Sequence, residues 1–232
     1  MAFDPRAITR DEDRFFDELR QTPDWSLAGR ASMALAQVLV AIPRTTYEGP
    51  VEGAGPSLQL AAQRVIGVRV FRSVRAAMAA LSIGYEPEAR ALDRVLVELA
   101  THRDLIQGDP SGETASRWLE GKAGGGITKK VNATSPDDLY GNLSQEAHGD
   151  PRPVWRLYNE ASESFILGPQ RHALASRVSL LLYASAACDQ LVVLAKLSEV
   201  SITQLPELHA EVKAAWRKAH EDADAVEVPP DA

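Results

Sequence analysis

The 232 residues contain a single cysteine, Cys188, set inside an apolar run. No disulfide can form within the chain, which points to a reducing compartment. A thiol in such surroundings reads as a small buried hydrophobe rather than a nucleophile. An excess of positive charge is also missing, since 25 Lys and Arg against 32 Asp and Glu leave a net charge of −7. That balance favours solubility and argues against general binding to nucleic acid or to an acidic membrane. The opening residues, MAFDPRAITRDEDR, carry acids where a secretory signal needs an apolar core. Together these absences read as a cytoplasmic protein. Alternating strand patterns are scarce, with residues 65–70 the only serious candidate, and no internal repeat or second domain stands out.

What is present is helix punctuation. Proline is tolerated in a helix's first turn, where its missing N–H would have no partner anyway. Such prolines follow in Glu86-Pro87, Asp109-Pro110, Ser135-Pro136, Asp150-Pro151, Gly168-Pro169 and Leu205-Pro206, and Thr9-Arg10-Asp11-Glu12 fits a capping box. Between these marks the apolar period is helical: Val70, Phe71, Val74, Met78 and Leu81, then Leu92, Val95, Leu96 and Leu99. The spacing predicts two long helices, 57–84 and 86–108, in a hairpin turning at Gly84-Tyr85-Glu86. A long apolar helix follows over about 170–199. The fold class is all-α, a multi-helix bundle. Its single domain is expected over 1–221, with an acidic, proline-bearing tail at 222–232 that reads as disordered. Residues 47–56 and 121–134 read as glycine-rich loops.

The apolar stretch 178–197 could span about 30 Å as a helix, enough to cross a bilayer. Asp189 and Gln190 interrupt it near the middle and no basic bias flanks it, so no membrane span is expected. It reads as a central bundle helix, or as one buried in a homodimer.

Four groups of residues invite a chemical reading. Gly121-Lys122 before Gly124-Gly125-Gly126 places the lysine ahead of the glycines, with Ala123 where a phosphate loop needs Ser or Thr, so it reads as a mobile loop. Arg64, Arg69, Arg72 and Arg75 form a basic series in one helix, drifting slowly around one side. It is either a solvated or salt-bridged face, or a contact for phosphate or RNA. Arg94, Glu98 and His102 are four apart and favour a structural ion pair. A di-iron bundle would instead need Glu-x-x-His and a second copy of it. Tyr140, Ser144 and His148 are also four apart. There His148 either caps a helix end before Gly149 or serves as a proton donor or acceptor near neutral pH.

The stretch RSVRAAMAALSIGYEPEARALDRVLVELATHRDL, then RWLEGK, then LYGNLSQEAH, resembles a bacterial family of helical proteins of unassigned function. That family has an arginine-bearing helix, a small-residue turn, an Arg-x-x-x-Glu helix and a Tyr-x-x-Leu-Ser-x-x-x-His segment. Arg94, Glu98, Tyr140, Leu143, Ser144 and His148 stand at those positions. The resemblance covers roughly residues 64–150, and more loosely the helix at 170–199. Such proteins are similar in outline to HEPN domains, helical bundles that often dimerise and sometimes cleave RNA in toxin or phage-defence systems. HEPN nucleases carry an arginine, then four to six intervening residues, then a histidine. Those positions ahead of His148 hold Gly141, Asn142 and Leu143, and the other four histidines also lack the arginine.

Three functional expectations result. The first is a homodimeric interaction or regulatory protein of a bacterial cytoplasm, associating through apolar helix surface, with an RNA or protein partner. The second is a divergent HEPN-like ribonuclease or toxin, metal-independent, with His148 as base or acid and Arg94 stabilising charge. In it Glu98, Tyr140 and Ser144 assist. The third is a small-molecule or nucleotide pocket between helices 64–84, 86–108 and 136–148. No cofactor or metal is expected.

Overall fold

Why the chain turns where it does can be read from its helix ends. A computed structural model describes residues 5–42, 55–122, 158–159, 164–165 and 173–224. The expected helix starts at Pro136, Pro151 and Pro169, most of the two loops, and the end of the tail lie outside these residues. Helix α1 spans Pro5–Arg20. It begins before Thr9, so Thr9 to Glu12 sit inside the helix rather than capping it; the helical pattern extends N-terminally of the expected box. Helix α2, Pro23–Ala41, starts at a signal that the sequence reading missed: Thr22 accepts the Trp25 N–H at 3.3 Å, and Pro23 follows in the first turn.

Helices α3, Gly55–Ser82, and α4, Glu86–Gln107, form the expected hairpin. Gly84 adopts φ 85°, the left-handed conformation that glycine enters without steric penalty. The Tyr85 N–H then bonds Ala80 O at 3.0 Å and the Gly84 N–H bonds Leu81 O at 3.1 Å, closing α3 in a Schellman motif. Residues 65–70, the one strand candidate, are helical. Helix α5, Glu113–Leu119, begins three residues after Pro110, so that proline precedes the helix instead of opening it. The Asp109 carboxylate does the capping, accepting from the N–H groups of Ser111 at 3.0 Å and Thr114 at 2.7 Å. Those bonds hold its carboxyl well below the usual range, the Ser111 side chain contributing most.

Strands β1, Tyr158–Asn159, and β2, Ser164–Phe165, pair antiparallel over two residues each. The ladder is far too short to form a layer. Helix α6, Ala173–Ser198, is the expected apolar helix, and α7, Leu205–Asp224, closes the described chain. Because α7 continues to Asp224, Asp222 belongs to a helix rather than to a tail, and it pairs with Arg177.

Helix α6 occupies the centre, against α2, α3, α4 and α7. Leu181, Tyr183, Ala184, Ala187, Leu191 and Leu194 are fully enclosed. Its segment Ser176–Ser198 is long and apolar enough to cross a membrane by composition, yet 67% of that window is buried inside this chain. Within the chain it is a central helix of the bundle. Cys188 is buried there, and burial pushes its thiol up to about 12. Where α3 passes α2 and α6, Gly67 permits the approach: a Cβ there would lie 3.0 Å from Leu39 Cδ2 and 3.1 Å from Leu194 Cδ1.

Polar side chains stitch the core together. Gln190 Nε2 donates to Gln63 O at 2.8 Å and to Gln63 Oε1 at 3.1 Å. Gln63 Nε2 donates to Arg103 O at 2.9 Å, and Gln59 Nε2 to Ile106 O at 3.0 Å and to Asp109 O. Gln59 thereby satisfies the Ile106 carbonyl in the last turn of α4, where carbonyls have no partner within the helix. On the surface, Arg30 pairs with Glu211, and Arg177 Nε lies 3.1 Å from Asp24, joining α7 and α6 to α2.

Candidate functional site

Tyr140, Ser144 and His148 lie outside the described residues. Arg94 and Glu98 lie on α4, one turn apart, with Nε to Oε1 at 3.1 Å and the arginine only 17% exposed. Each therefore meets the other's charge first, which is the expected structural pair. His102, the next residue of that series, is half-buried with its ring edge-on to Trp118 at 5.7 Å. Burial pushes its imidazole below its ordinary value, partly opposed by Glu98 and aided by Arg69. Among the described residues no three His, Cys, Asp or Glu side chains converge as metal ligands.

A second polar constellation went unnoticed in the sequence. Asp93 on α4 is 4% exposed and accepts from Ser179 Oγ of α6 at 2.9 Å. Glu86, two turns earlier, is 5% exposed, and Ser176 and Tyr183 are buried on the same side of α6. Among the described residues the Tyr183 hydroxyl makes no hydrogen bond of ordinary geometry. Burial raises its pKa far above the usual phenol range, with the Asp93 charge adding to the effect. It stays protonated at any working pH, so it can donate a proton in a hydrogen bond but cannot act as a phenolate. A signal did exist: Ala89, Asp93, Leu96 and Leu99 share the buried stripe of α4, so Asp93 stands at a core position. The expected apolar face is turned accordingly, with Leu92 and Val95 at its edge.

The basic series has a different environment. Arg69, Arg72 and Arg75 are exposed on α3 and make no ion pair or hydrogen bond among the described residues, while Arg64 is half-buried and engaged. Val65 and Val68 stand among them, 43% and 42% exposed. No Asp or Glu occurs anywhere in the 28 residues of this helix. The opposite side of α3 carries Ile66, Val70, Val74 and Met78 into the core. A cationic, partly apolar surface is thereby held rigidly outward.

The described residues also form a cleft of about 380 Å³ between α2 and α7, lined by Arg30, Met33, Gln37, Glu207, Leu208 and Glu211 among others. It is not between helices 64–84 and 86–108, where a ligand pocket was expected, and Arg30 and Glu211 in its wall pair with each other. No family model, no curated protein and no solved structure matches this chain.

Proposed function

We propose that this chain is a helical interaction protein of a bacterial cytoplasm, acting by docking another protein rather than by catalysis. The observation that carries this reading is the outer face of α3, where three arginines with no ion pair among the described residues surround two exposed valines. Arginine and apolar side chains together are what protein interfaces enrich, and charge without a partner is what a complementary surface can satisfy. With Arg94 paired to Glu98, a nuclease would have to draw its cation from Arg69, Arg72 or Arg75 on the same face. The family resemblance stays compatible with this reading, since helical bundles of that outline include proteins that associate without cutting RNA.

Two measurements test it together. A photo-crosslinking residue at position 68 is expected to form covalent adducts with protein in living cells, while the same residue at the exposed Lys218 of α7 forms none. Purified chain incubated with RNA is expected to leave it intact. Cleavage that disappears in a folded His148→Ala variant would overturn the docking reading in favour of a metal-independent ribonuclease. An absence of any protein adduct at position 68 would overturn it as well.

A further inference from the structure

We infer that the outer stripe of α3 receives a helix of another protein, acidic in its middle and apolar at both ends. This rests on the docking reading above and deepens it by stating the partner's chemistry. Exposure along α3 is periodic. Val65, Val68, Arg72, Arg75 and Ala79 are all exposed and follow one another at steps of three, four, three and four. That is the register in which one helix presents a seam to another. Arg69 and Ala76, also exposed, flank it. From Val65 to Ala79 the stripe runs about 21 Å along the helix axis. Ile66, Val70, Val74, Ala77 and Met78 hold the other side of α3 in the core, so the seam is presented without rearrangement.

The stripe has three parts, and each fixes what can lie against it. At one end Val65 and Val68 leave apolar surface in water, which an aliphatic side chain would cover. In the middle Arg69, Arg72 and Arg75 make no ion pair among the described residues, and α3 contains no acid of its own. Carboxylates from a partner are what complements them. At the other end Ala76 and Ala79 carry only methyl groups, and Ile83, one turn further, is 38% exposed. A large apolar side chain has room there. A second copy of this chain fits poorly. Two such stripes would set arginines against arginines, and on α1 Asp11 is already paired with Arg14 and Asp17 with Arg20. Single-stranded RNA fits poorly as well. Its bases stack on aromatic rings, and the one aromatic residue of α3, Phe71, is partly buried against the core.

The test is fluorescence anisotropy with the full chain and labelled probes. One probe is a designed helical peptide with leucines at its ends and glutamates in its middle. The second has lysines in place of the glutamates, and the third is single-stranded oligouridine. The glutamate peptide is expected to bind, and the other two to bind at least about tenfold more weakly. Arg72→Glu with Arg75→Glu is expected to weaken the glutamate peptide by about a hundredfold, because like charges then face each other. The same variant is expected to bind the lysine peptide, which also shows that it is folded. Failure of the glutamate peptide to bind, equal binding of the two peptides, or a reversed variant that keeps the glutamate peptide would each overturn the inference. RNA held more tightly than the glutamate peptide would overturn it together with the docking reading. In living cells, adducts from the crosslinking residue at position 68 are expected to vanish when Arg72 and Arg75 are reversed. Adducts that persist remove the acidic helix and leave the docking reading standing. A wild-type dimer in light scattering that the reversal dissociates also overturns the inference, since the occupant is then a second copy.

Discussion

Helices α3 and α6 run for 28 and 26 residues, and both are rich in Ala, Val and Leu, yet they meet different surroundings. Helix α6 is apolar around most of its circumference, so it reaches low energy only when neighbours enclose it, and four helices do. Helix α3 is two-sided, with Val70, Val74, Met78 and Leu81 buried on one side and Val65, Val68 and three arginines exposed on the other. The contrast teaches that an apolar run by itself says little about where a protein associates. The run that looked most available for a partner, 178–197, is mostly buried inside the chain, and the exposed arginines and valines sit on a helix whose overall pattern is less oily.

The contrast can be broken most forcefully at the centre. Leu191→Ala in α6 should lower unfolding free energy by about 2–5 kcal/mol in a denaturant titration, as enclosed leucines do when a cavity remains. A loss no greater than that of an exposed control would mean α6 is not the central element. Next in size, Gln190→Leu should cost about 1–3 kcal/mol by leaving Gln63 Oε1 enclosed without its donor. An unchanged unfolding midpoint would show that the glutamine ladder is not what joins α3 to α6.

A smaller effect should appear with pH. His102 sits below its ordinary value near 6.5 because burial penalises its charged form. The unfolded chain therefore takes up the proton first as pH falls. The stability tied to the neutral ring is full above about 6.5 and declines as pH drops below that value. His102→Gln should flatten that part of the stability–pH curve, and an unaltered slope would count against the burial of the ring. The smallest change in stability belongs to α3: Val65→Asp should shift unfolding by no more than about 0.5 kcal/mol, as surface substitutions do, while abolishing protein adducts from a photo-crosslinking residue at position 68. A large loss of stability there would place Val65 in the core and erase the difference between the helices.

Legibility differed by element. The α3–α4 hairpin could be read to within two residues because Gly84, Pro87 and a run of 3.6-spaced apolar residues all point to one answer. The start of α2 was equally available in Thr22-Pro23, but α1 was misread at Thr9 because a capping pattern also fits the middle of a helix. Of the candidate site, the Arg94–Glu98 pair followed from spacing alone, since both residues share one helix. The Asp93–Ser179 bond joins residues 86 apart in sequence, and no local pattern reports such a distance.

The amino-acid order by itself determined the helical class, the hairpin and the burial of Cys188, because each depends on local periodicity, backbone restriction or transfer of an apolar side chain from water. Tertiary packing decided what order could not. It chose α6 over α3 for the centre, turned Asp93 inward and left Arg69, Arg72 and Arg75 facing out. Which side of a helix meets solvent depends on the neighbours that surround it, and those neighbours come from distant parts of the chain.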